Sequence, residues 1–164
     1  MIPSLRRSIP DPLSIDRWPE WTQPTTTDVI VSGVSLLRLV DLCDTPCVHI
    51  AAAVVPGTYG RPSDIEQASV VVARVTQIPR PGVLVLDADL DTVTAHLAEA
   101  RLIGRASTRH SMPFELAHSS RAGSGSLDVF SASVLPADVA VGDLIAVPCS
   151  GAVCRREIRL PAGS

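Results

Sequence analysis

The sequence predicts a mainly β domain with two short helices, and three observations point to it. Hydrophobic residues make up 46% of the chain but aromatics only 3%, so Val, Leu, Ile and Ala must build the core. β-branched side chains of that kind suit a pleated, packed surface. Apolar runs of strand length recur between clusters of Gly, Pro and Ser, which is the punctuation of a sheet protein. A chain of 164 residues suits one domain with a substantial core.

Taken in order, residues 1–27 are rich in Pro, Ser and Thr and lack a sustained period, so they read as a flexible arm. Trp18 and Trp21 stand out in it, suited to docking on a partner or packing on the domain's own surface. The domain proper, residues 28–164, opens with a short β-run over 28–32 that ends at Gly33. Ser35 is placed to N-cap a helix over 36–42, which Thr45-Pro46 stops. Residues 47–55 form a near-continuous apolar run, as a doubly buried strand would. Residues 54–67 carry Pro56-Gly57, Gly60 and Pro62 and read as a loop.

A Val-rich strand follows over 69–78, then the turn Pro79-Arg80-Pro81-Gly82 and a return strand over 83–87, making a hairpin. The spacing of Val93, Leu97 and Ala100 suggests a second helix over 90–102. Strands over 114–119 and 127–135 bracket the Gly/Ser loop 120–126, and strands over 144–147 and 153–160 complete a sheet of about six or seven strands.

Composition narrows the function. The net charge is −3 and no basic stripe is present, which argues against a nucleic-acid partner. No run approaches the roughly 18 apolar residues of a membrane helix. No apolar stretch of signal-peptide type follows the first basic residues, so the cytoplasm is the expected compartment and its cysteines are expected to be reduced.

Cys43, Cys47 and His49 form a C-x3-C-x-H run, and Cys149 with Cys154 gives C-x4-C. These are zinc-ligand types, but neither pair has a tight C-x2-C knuckle, and the apolar neighbours suggest buried thiols instead. His118 with Asp128, or His110 with Glu115, offers a general base and an orienting carboxylate, though no spacing demands it. The segment from Gly123 to Ser126 lacks the Lys and helix of a phosphate loop.

Two stretches carry a family likeness. Residues 135–154 read LPADVAVGDLIAVPCSGAVC, and residues 28–46 read DVIVSGVSLLRLVDLCDTP. They resemble the closing and opening segments of the sheet domain of diaminopimelate decarboxylases and their ornithine and arginine decarboxylase relatives, the pyridoxal-phosphate enzymes of fold type III. The resemblance extends over residues 28–46 and 66–155. It implies a partly barrel-like sheet domain of the decarboxylase and alanine-racemase C-terminal type. Residues 28–53 would supply its N-terminal segment and 68–164 its C-terminal segment. The cofactor-binding (β/α)8 barrel, about 200 residues or more, would be replaced by a splice loop at 54–67.

On this resemblance Asp87 matches a family aspartate, whereas Val153 stands at the family's cofactor-reaching tyrosine. Ser119 and Ser120 stand at its cysteine and glutamate. All fourteen basic residues are Arg, so no lysine exists to form a Schiff base and no covalent pyridoxal phosphate is expected. The implied protein has no decarboxylase activity of its own and works by association, as a homodimer or with a full-length decarboxylase. His118, Asp128, Gly151, Ala152 and Val153 would lie at that interface. The alternatives are a small enzyme or ligand binder using the concave sheet face, and a decayed decarboxylase fragment.

Overall fold

The structure, a computed structural model, describes residues 10–119 and 127–160, with side chains placed except at 119 and 127–132. Eleven strands and two short α-helices occur among the described residues. β1 (Thr22–Pro24), β2 (Val29–Val31) and β3 (Val34–Ser35) form a small antiparallel sheet. α1 (Leu36–Cys43) follows it directly, capped as its sequence requires. The Ser35 hydroxyl oxygen accepts the Arg38 N–H at 3.2 Å. Its hydroxyl donates to Asp28 Oδ2, whose other oxygen takes the N–H of Leu37 at 3.2 Å. Leu36 and Val40 are the buried face of the helix.

The main sheet is mainly antiparallel and curls into a half-barrel. Its strands are β4 (Cys47–Val54), β5 (Pro62–Gln77), β6 (Val83–Leu86), β7 (Thr94–Ala95), β8 (Arg101–Ile103), β9 (Ser111–Ser119), β10 (Leu127–Pro136) and β11 (Leu144–Ser150). They run in the order β10-β9-β6-β5-β11-β7, with β4 also on β5 and β8 also on β11; β6 and β9 are parallel. β5 is the central strand, and its alternation supplies two cores. Val71, Ala73 and Val75 face one with Leu84, Leu116 and Ile145. Val70 and Val72 face the other with Trp18, Val29, Leu36 and Cys47.

β4 and β6 meet end to end beside β5, and Asp87 closes the gap between them. Its Oδ1 accepts the Arg74 N–H at 2.7 Å, and its Oδ2 accepts the Thr45 hydroxyl at 2.5 Å. The donor of β5 that no strand reaches there is thereby satisfied. Asp87 has a structural task.

Several expectations are corrected. Residues 10–27 are not a free arm: a 3-10 turn at Ile15–Arg17 and β1 tie them to the domain, and Trp18 is 1% exposed. Trp21 is the exposed one, at 71%. β4 is half-buried instead of doubly buried, only its end residues Cys47 and Val54 being buried; among the described residues β5 pairs one edge, and the other edge receives the Glu20 N–H at Ala52. The loop expected over 54–67 is a hairpin turn over 55–61, since β5 begins at Pro62.

The helix expected over 90–102 is absent. That segment runs along the edge of β11 as β7, a 3-10 turn at Leu97–Glu99 and β8, with its backbone bonded to the sheet. The strand expected over 153–160 contains instead α2 (Arg155–Ile158), because the chain leaves the sheet at Gly151, where φ is +79°. A Cβ there would meet nothing within 4 Å, so glycine serves the turn and not the close approach its small neighbours suggest. No helix among the described residues is long and apolar enough to cross a membrane.

Candidate functional site

A cleft of about 790 Å³ opens where three distant segments meet. Asp16, Arg17 and Trp18 form one wall, the base of the β4–β5 hairpin with Glu66 and Gln67 another, and Ala68, Cys149, Ser150 and Gly151 the floor, with His96 beside them. Each segment is held for a physical reason. Glu99 Oε2 accepts both the Ser14 N–H at 3.3 Å and the Trp18 indole N–H at 3.2 Å, which fixes the first wall. Burial raises the Glu99 carboxyl, but these hydrogen bonds outweigh it and hold the group below its ordinary value. The His96 N–H donates to the Pro148 carbonyl at 2.9 Å, setting the ring over the end of β11. Ser69, buried on β5, accepts the Val153 N–H at 2.9 Å and donates to the Gly151 carbonyl at 2.6 Å, pinning the turn that closes the floor.

The polar centre is a relay. Arg17 Nη1 lies 3.0 Å from His96 Nδ1, and His96 Nε2 lies 3.0 Å from Ser150 Oγ. A guanidinium only donates, so Nδ1 is the acceptor and the ring proton sits on Nε2, directed at Ser150. Burial, then the Arg17 charge, lowers the His96 pKa against an opposing pull from Glu99, which favours the neutral ring this wiring requires.

Of the candidate site residues singled out from sequence, Cys149 and Gly151 line the cleft floor and the other described ones fall elsewhere. Cys43 and Cys154 are exposed while Cys47 and Cys149 are buried, correcting the expectation of four buried thiols. Burial pushes Cys149 up to about 12 and Cys47 up to about 11, so both are inert thiols at neutral pH. His49 lies on β4 with Nε2 buried. Among the described residues, the group of three whose ligand atoms lie within 4.8 Å of one another is Asp89, Asp91 and His118, and no cysteine joins it.

His118 is buried, with Nε2 3.0 Å from Asp91 Oδ2 and 3.5 Å from Asp89 Oδ1. The expected carboxylate, Asp128, is its register partner across β9 and β10, and the Asp128 side chain lies outside the described residues. So do Ser120, the loop 120–126 and the Ser119 side chain. His110 is exposed, and Glu115 pairs with Arg80 at 3.9 Å. Val153 is a core residue at 3% exposure and not a surface one, whereas Gly151 and Ala152 are exposed. Of the expected interface residues with placed side chains, His118 and Val153 are interior.

Arg17, His96 and Ser150 were not legible as a site. They stand 79 and 54 residues apart and share no motif, Ser150 alone falling in the stretch 135–154, so the topology brings them together. No family model, curated protein or solved structure matches this chain.

Proposed function

We propose that this chain is a small-molecule binding protein that uses the cleft at His96 and performs no covalent chemistry there. The observation that carries the reading is the Arg17–His96–Ser150 relay lining an open cleft of ligand size, with Arg17 and Ser150 exposed and His96 half-buried. Ser150 and His96 stand at the distance of a nucleophile and its base, but the polarity is reversed. A serine nucleophile needs Nε2 as acceptor and a carboxylate at Nδ1. Here Nε2 is the donor and a guanidinium faces Nδ1, so a proton taken up by the ring would create an imidazolium beside Arg17. Binding survives that arrangement and general-base catalysis does not.

A chain without lysine also has no residue to hold pyridoxal phosphate as a Schiff base. Association becomes the lesser reading, because only Gly151 and Ala152 of its expected surface are exposed among the placed side chains.

A thermal-shift screen of small polar and amphipathic molecules tests the proposal. Hits should raise the wild-type midpoint, as any ligand selective for the folded state must. Arg17→Ala should remove the shift. A screen with no cleft-dependent hit would overturn the binding reading, and ester hydrolysis abolished by Ser150→Ala would overturn the absence of chemistry.

A further inference from the structure

We propose that the cleft takes a small organic monocarboxylate, with its carboxylate at Arg17 and Ser150; this rests on the binding reading above. The argument follows the hydrogens. His96 Nε2–H occupies a lone pair of Ser150 Oγ, and among the described residues no protein acceptor takes the hydroxyl proton. The Ser150 hydroxyl proton is thus open to a ligand at the cleft floor, beside one remaining lone pair. Arg17 spends one N–H on His96 Nδ1 and lines the same cleft with donors remaining. Two donors, one of them charged, flank the His96 ring in the same cleft, and a carboxylate is a group that accepts from either kind.

Charge limits the ligand to one such group. Asp16 and Glu66 line the same cleft, so a second negative charge would face carboxylates. Asp16 Oδ2 already accepts the Gly57 N–H at 3.2 Å, which reduces its appeal to a ligand cation. Ala53, Val54, Pro56 and Ala68 offer apolar surface for the ligand body.

The test titrates the 15N-labelled full chain with phenylacetate, phenylacetamide, phenethylamine and the dianion phenylmalonate. Phenylacetate should perturb the amides of Ser150, Gly151 and Gln67 saturably, with a Kd about tenfold or more below that of phenylacetamide, the value of a charge-assisted bond. Phenylmalonate should bind more weakly than phenylacetate. Ser150→Ala and Arg17→Gln should each weaken phenylacetate about five- to tenfold. Long-range 1H–15N spectra should show His96 protonated at Nε2.

Equal or tighter binding of the amide or amine at the same amides would overturn the carboxylate proposal and leave the binding reading standing. An Nδ1-protonated His96 would overturn it too. Silence of all four probes at these amides also sinks it, while the broader screen judges the binding reading.

Discussion

His96 gives stability a pH dependence whose sign follows from its neighbours. Burial and the Arg17 guanidinium hold the ring below its ordinary value of 6.5. Between that lowered value and 6.5, the unfolded chain binds a proton that the folded chain does not. Stability is therefore full above about 6.5, falls as pH drops through the window, and levels off below the folded value. Urea unfolding from pH 7.5 downward should show this loss in the wild type and a smaller one in His96→Gln; identical slopes would refute it.

Arg105 carries the acid-side counterpart. It grips Asp143 bidentately, at 3.1 and 2.7 Å, and reaches Asp138 at 3.2 Å. Burial raises Asp143, but Arg105 and the Ala140 N–H outweigh it, and Ser107 then Arg105 lower Asp138. Both contributions are present above the ordinary carboxylate range and are lost as pH falls through the folded values. Arg105 is 36% exposed, so solvent screening limits Arg105→Ala to a loss of roughly 1 kcal/mol at pH 7 in urea unfolding.

At the scale of elements, the segment 10–27 separates its two tryptophans. Trp18 fills the core under β2 and α1, and Trp21 stands in solvent. Trp18→Ala should cost about 3 kcal/mol or more, and Trp21→Ala less than about 0.5. Equal effects in chemical denaturation would contradict the packing. Nothing in the sequence around the two indoles distinguishes them, because Trp18 packs among distant β5 residues such as Val70 and Val72 and its N–H is taken by Glu99, 81 residues away.

Elements fixed by local chemistry were legible. Ser35 announces α1, and Pro79 to Gly82 announces the hairpin of β5 and β6. Residues 90–102 were not, since the spacing of Val93, Leu97 and Ala100 fits a helix equally well. What decides is the open edge of β11, which takes the His96 and β8 backbones into the sheet. The cleft was hidden for the same reason, being assembled by three long-range pairings.

At the scale of the whole molecule, one strand divides its side chains between both cores. Val71, Ala73 and Val75 belong to one layer and Val70 and Val72 to the other, so neither layer can lose β5 without stripping its neighbour. β11 repeats the division, with Ile145 and Val147 on one side and Ala146 on the other. The Trp18 layer contains that residue of the first wall of the cleft, and the other layer contains Cys149 from its floor. A fold shared in this way should unfold as one cooperative unit. In a Trp21→Phe variant the remaining indole reports the Trp18 layer alone, while far-ultraviolet circular dichroism follows the whole sheet. Urea transitions from the two probes should coincide, and a saturating cleft ligand should move both midpoints together. If the fluorescence transition came first, the segment bearing Trp18 would be a separately melting cover, and the cleft would be lost while the sheet still stood.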